Sequence, residues 1–126
     1  MVLILKLNRI TCGVPQGSSL GPLLFLIYIN DFRFCLDKTD AGHFADDTYI
    51  MYSSKNIKTL ETVINYDLKS VSKWMNLNKL SLNTDKTQLI MFHSKYKNFY
   101  SESLSIKFNG KKIIPVDSVK YLGMFI

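Results

Sequence analysis

The chain is 126 residues long, 47% hydrophobic and 21% charged, an ordinary globular composition that excludes a disordered or fibrous protein. The length suits one domain with its own core and no more. The net charge of +6 is uneven: residues 1–54 carry four Lys/Arg against five Asp/Glu, and residues 55–126 carry twelve against five, so the downstream part is either a polyanion-binding surface or a solvated lysine-rich one.

Val2 to Leu5 reads as an opening strand. Lys6 and Arg9 follow this apolar run instead of preceding it, and the run is too short for a secretory signal. Gly13-Val14-Pro15-Gln16-Gly17 is a loop by its glycine and proline content, and Ser18 or Ser19 can cap a helix extending to about Phe32. Pro22 is compatible with that helix because it falls in the first turn, where its missing amide hydrogen is not required. The apolar stretch Leu23 to Ile29 ends at Asn30-Asp31, a helix end, and falls well short of the roughly 20 residues that span a bilayer, so no membrane segment is expected. Ala41 to Ala45 and Thr48 to Tyr52 read as two short strands joined at Asp46-Asp47, a hairpin without the glycine of the favoured two-residue turns.

From about Asn56 to Leu77 the residues Ile57, Leu60, Ile64, Leu68, Val71, Trp74 and Met75 recur at steps of three and four, one face of a helix, with Lys58, Lys69 and Lys73 off that stripe. Thr87 to Phe92 reads as a strand, Leu104 to Phe108 and Lys112 to Val116 flank Asn109-Gly110 as a hairpin, and Val119 to Ile126 reads as a last strand. This order predicts an α+β fold, two main helices packed on one face of a mainly antiparallel sheet. Neither Cys12 and Cys35 nor His43 and His93 have zinc-ligand spacing, and two distant cysteines imply no disulfide framework, which points to a reducing intracellular setting.

The chemistry concentrates at Phe44-Ala45-Asp46-Asp47, where two adjacent carboxylates stand between apolar strands. At a tight turn both can converge on the same solvent region and offer hard oxygen ligands to Mg2+. Phosphoryl transfer uses such ligands, with two metals about 3.5–4 Å apart clamping the attacking and leaving oxygens. An Asp-Asp pair by itself is weak evidence, because Asp is common in turns for local hydrogen bonding.

Its neighbours change that. Gly13-Val14-Pro15-Gln16-Gly17-Ser18, Tyr28-Ile29-Asn30-Asp31, Phe44-Ala45-Asp46-Asp47, Leu82-Asn83 with Lys86-Thr87, and Tyr121-Leu122-Gly123 form an ordered series. It closely resembles the motifs of reverse transcriptases encoded by non-LTR (LINE-type) retrotransposons, particularly jockey-like elements, over nearly the whole chain from about Ile10. The resemblance implies a polymerase palm, with Asp46 as a metal ligand, Asp47 as its supporting partner and Phe44 in the aromatic position before them. It implies that Pro15, Gln16 and Gly17 lie under the incoming nucleotide and template, where Gly permits close backbone approach and Gln offers a donor and an acceptor. Lys86 takes the place of a lysine near the triphosphate, able to stabilise departing pyrophosphate or donate a proton. Tyr121, Leu122 and Gly123 resemble the hairpin that steadies the primer end; a surface lysine and a plain buried strand are the structural alternatives for these two motifs.

The implied partners are an RNA template, a DNA primer and dNTP, with Mg2+ as cofactor, and the implied location is the nucleus or cytoplasm. The family also carries a catalytic Asp on a strand well before the glutamine loop, and residues 1–10 contain no Asp or Glu. Residues 1–126 therefore read as a partial, truncated palm domain with an incomplete two-metal site and without fingers or thumb, inactive as an isolated chain. Two alternatives stay open: a non-catalytic nucleic-acid-binding remnant that keeps the basic half, and a product whose unpaired apolar faces favour aggregation.

Overall fold

The computed structural model describes residues 1–8 (5–8 as backbone alone), 17–44, 47–94 and 104–126. Val2–Asn8 (β1) is the strand on which the main sheet is assembled. It runs antiparallel to Asp47–Met51 (β3) on one side and to Gln88–Ile90 (β5) on the other. Asp40–Phe44 (β2) pairs antiparallel with β3, Ser81–Leu82 (β4) pairs antiparallel with the far end of β1, and Pro115–Val116 (β8) lies parallel to β5. The order is β2-β3-β1-β5-β8. Lys120–Tyr121 (β9) and Met124–Phe125 (β10) form a small hairpin of their own, as do Ile106–Phe108 (β6) and Lys111–Ile113 (β7).

Alternation along these strands divides the sheet into two faces. Leu3, Ile50 and Leu89 point to one side and are at most 1% exposed. Ile57–Leu77 (α2) covers them with Leu60, Ile64, Leu68, Val71 and Met75. Each such side chain removed from water contributes about 1.5–3 kcal/mol. Ile4, Tyr49 and Ile90 point to the opposite side and pack with Val119 and Tyr121.

The ends of α2 are set by local chemistry. Asn56 caps the N-terminus, its Oδ1 accepting from Lys58 N at 2.8 Å. At the other end Lys79 adopts φ 53° and Leu80 N donates to Met75 O at 2.9 Å, the bond of a Schellman motif. The β6–β7 hairpin turns on Asn109 (φ 48°) and Gly110 (φ 83°), as the sequence predicts. Its open edge is satisfied by α2: Asn65 Nδ2 donates to Ser105 O at 2.8 Å, Asn65 Oδ1 accepts from Lys107 N at 2.9 Å, and Glu61 Oε2 accepts from Ser105 N at 3.1 Å.

Leu20–Ile29 (α1) behaves differently from the expected second packed helix. Only its Phe25–Ile29 side, prolonged by Phe32 in the 3-10 turn Asn30–Cys35, joins the core; Leu23, Leu24, Leu26 and Ile27 remain about half or more exposed. A helix that is apolar on every side carries no pattern to select one buried face, and such a helix is usually buried all round in a larger body. The result is a mixed α/β arrangement of two helices on an antiparallel-rich sheet, not two equally packed helices.

Two further expectations need correction. Val119 to Ile126 is a tight hairpin and not one strand, because Leu122 (φ 50°) and Gly123 (φ 83°) reverse the chain and Val119 and Ile126 exchange two backbone bonds of 2.9 Å. Residues 112–116 split into β7 and β8, since Ile114 is 71% exposed and Pro115, lacking an amide hydrogen, suits only the edge position that β8 takes.

Candidate active site

The acidic hairpin differs in register from the sequence reading. The strands end at Phe44 and begin again at Asp47, so Asp47 belongs to β3 and the connection falls at residues 45–46. Thr48 and Ile50 are the inward residues, 0% and 1% exposed, which turns Asp47, Tyr49 and Met51 to the opposite face. Asp46, Pro15 and Gln16 lie outside the described residues. Asp47 is half-buried, in register with Phe44 on β2 and Lys6 on β1, and Phe44 is 61% exposed.

On that outward face the far end of the chain meets the hairpin. The rings of Tyr49 and Tyr121 stand edge to face, centroids 6.0 Å apart. Burial raises the Tyr121 phenol above its ordinary value, and Tyr49 and the charge of Asp47 push it the same way. An apolar cavity of about 290 Å³ opens beside this pair, lined by Val2, Ile4, Tyr49, Ile90, Val119 and Tyr121 among others. Leu122 and Gly123 form the exposed tip of the adjoining turn.

Lys86 is exposed on the turn between β4 and β5. Asn83 builds that turn: its Oδ1 accepts from Asp85 N at 3.1 Å and Lys86 N at 3.3 Å, while its carbonyl accepts from Thr87 Oγ1 at 2.9 Å. Asp85 is engaged by Lys111, which holds its carboxyl below the usual range. Because Leu82 pairs with Leu7 and Asp47 with Lys6, the turn starts from the same end of the sheet as the acidic hairpin. The flanking strands are roughly 10 Å apart across β1.

Gly17 (φ 89°) is exposed where the chain enters α1. At the other end of that segment Asp31 has a packing role, its Oδ1 accepting from Trp74 Nε1 at 3.2 Å. Phe32 stands edge to face with both Trp74 (5.1 Å) and His43 (5.0 Å), and His43 Nδ1 lies 2.8 Å from Thr48 Oγ1, so packing passes from α2 into the hairpin. Burial of Cys35 pushes its thiol up to about 11, with the Asp67 charge adding to the effect.

The sequence reading considered His43 only as a zinc ligand and passed over Gly42 and Asp67. For Asp67 a signal existed, a carboxylate inside the apolar stripe of α2 between Ile64 and Leu68, where a charge is rare unless it is paired. Adjacent carboxylates are oxygen donors of the kind Mg2+ takes. Among the described residues there is no group of three or more His, Cys, Asp or Glu side chains placed to hold a metal ion.

Residues 6–126 match the family described as reverse transcriptase (RNA-dependent DNA polymerase). The chain belongs to that family. This reverse transcriptase chain is 28% identical over 126 residues to the RNA-directed DNA polymerase from mobile element jockey of Drosophila melanogaster, an alignment covering 94% of the chain and 13% of the relative. It is 29% identical over 119 residues to the retrovirus-related Pol polyprotein from type-1 retrotransposable element R1 2 of Nasonia vitripennis, covering 89% of the chain and 28% of the relative. A probable RNA-directed DNA polymerase from transposon X-element of Drosophila melanogaster is 26% identical over 126 residues, covering 94% of the chain and 13% of the relative. The reverse transcriptase chain thus spans between about an eighth and somewhat over a quarter of these relatives' lengths. No solved structure gives a significant match. Among the described residues, no helix is long and apolar enough to cross a membrane.

Proposed function

We propose that this chain is part of the palm of an RNA-directed DNA polymerase, where a primer 3′-hydroxyl attacks the α-phosphate of a dNTP and pyrophosphate leaves. The observation that carries this reading is the edge-to-face contact of Tyr121 with Tyr49, which lies on the same face of β3 as Asp47. Two motifs from distant parts of the sequence thereby share one end of the molecule, with the Lys86 turn starting from that same end.

In this reading Asp46 and Asp47 would hold Mg2+, which when bound supplies positive charge against the phosphates. Lys86 adds a cation for the charge that develops on the leaving pyrophosphate. Pro15, Gln16 and Gly17 support the nucleotide and the RNA template, and Phe44 packs beside the acidic tip. Tyr121, Leu122 and Gly123 hold the DNA primer end. The reaction takes place in the nucleus or cytoplasm. The isolated chain is not expected to polymerise, because the family's further aspartate has no counterpart in β1, which carries no carboxylate.

A second reading, nucleic-acid binding without catalysis, is favoured by the exposed lysines of α2 and the β6–β7 hairpin. Primer extension on an RNA template with Mg2+ separates the two. Extension that Asp46→Asn abolishes supports the polymerase, as does RNA–DNA hybrid binding without extension that requires Mg2+ and is weakened by Asp46→Asn; salt-sensitive binding indifferent to both supports the binder, and absence of extension and binding removes both.

A further inference from the structure

Among the described residues Asp67 is the one fully buried charged side chain, 0% exposed. A carboxylate in that position is strongly unfavourable unless its lone pairs are filled. They are filled by one short segment: Oδ1 accepts from Asp37 N at 3.3 Å, and Oδ2 accepts from Lys38 N at 3.1 Å, Thr39 N at 2.8 Å and Thr39 Oγ1 at 2.7 Å. Three successive backbone N–H groups turned onto one anion make residues 37–39 a nest, and bonds to an ionised acceptor are the stronger kind.

That segment leads directly into β2, at the edge of the sheet, whose one strand neighbour among the described residues is β3 and whose other end is Phe44. An edge strand is located by its single partner and by whatever grips its ends. Here α2 grips the start of β2 through Asp67, and Phe32 against His43 supports it farther along. An apolar residue at position 67 would continue the α2 stripe, but it would offer nothing to the three amides.

We propose that Asp67 is a positioning residue for the acidic hairpin, fixing from α2 the base of β2, the strand whose far end, Phe44, pairs with Asp47 on β3. It touches no substrate. Its consequence for chemistry rests on the polymerase reading; the mechanical role rests on the hydrogen bonds alone.

Amide hydrogen exchange on the full chain tests it, comparing the parent with Asp67→Asn and Thr39→Val. Asp67→Asn accelerates exchange by about tenfold or more at residues 37–44 and 47–49, through local opening, and leaves the β6–β7 hairpin, which docks on the same helix, at its parental rate. Equal acceleration in both places would overturn the proposal, since Asp67 would then add only general stability. Thr39→Val, which deletes one donor, gives the same local pattern more weakly and carries the test if Asp67→Asn fails to fold; a folded Thr39→Val without that pattern also overturns it. Mg2+-induced shifts of the amide signals around Asp47, lost in Asp47→Asn, test the polymerase reading separately. Their absence in the parent would remove that reading while the exchange result still decides the role of Asp67.

Discussion

Gly42 and Tyr49 face each other across the β2–β3 ladder, and the Tyr49 ring fills the space into which a β-carbon on residue 42 would project. The glycine is required here for room, not for an unusual backbone angle. Gly42→Ala would displace Tyr49 and with it the edge-to-face contact to Tyr121. We expect a loss of about 1–3 kcal/mol, the usual cost of overpacking, measured by urea unfolding, together with a reduced near-UV tyrosine signal. Unchanged stability and signal would show that the ring has a second equally good position.

His43 gives the fold a pH dependence. Burial lowers its pKa from the ordinary 6.5, so the folded state binds the proton less readily than the unfolded state does. Its stabilising contribution is therefore complete above 6.5 and is lost as the pH falls through the lower folded value. The melting temperature of the parent should fall between about pH 7.5 and pH 5, the range in which histidine titrates. His43→Gln should flatten that part of the profile, and an equally steep profile in the variant would assign the dependence elsewhere.

Leu122 occupies left-handed backbone space at φ 50° while 46% exposed. A branched apolar residue is poorly suited to that conformation, and asparagine adopts it more readily. Leu122→Asn should stabilise the chain by up to about 1 kcal/mol, and Leu122→Val should destabilise it by a similar amount, both read from denaturant midpoints. If the turn holds a primer end, strain retained at that point fits a functional site, and Leu122→Asn should weaken primer binding while raising stability.

Lys107 and Lys112 are direct cross-strand partners on β6 and β7, both exposed, and neither has an ion pair among the described residues. Like charges directly opposite each other are unfavourable unless something neutralises them. Lys112→Glu should raise stability by about 0.2–1 kcal/mol. If the pair contacts phosphates, the same change should lower affinity for an RNA–DNA hybrid and reduce the slope of log K against log salt by about 1. A variant more stable and equally good at binding would show the pair to be a solvated surface.

The long elements were legible in the sequence because their signals are local. The three-and-four spacing from Ile57 to Met75 gives α2 and its buried face, and Asn109-Gly110 specifies a two-residue turn. Short strands were less legible. Shifting Asp47 from the turn into β3 takes one residue, and the inward alternation of Thr48 and Ile50 is the same for either position of the turn, so that pattern does not locate it. The reversal at Leu122-Gly123 escaped notice because leucine is an unusual residue for positive φ.

The sequence by itself determined the family, through five motifs in fixed order, and named the candidate residues for its chemistry. Which of those residues meet was a tertiary matter. The contact of Tyr121 with Tyr49 on the face of β3 that Asp47 shares, the start of the Lys86 turn beside the acidic end of the sheet, and the capture of residues 37–39 by Asp67 all join segments distant in the chain. Spacing and periodicity describe neighbours along the chain, whereas these contacts depend on strand order and on which face of each strand α2 covers.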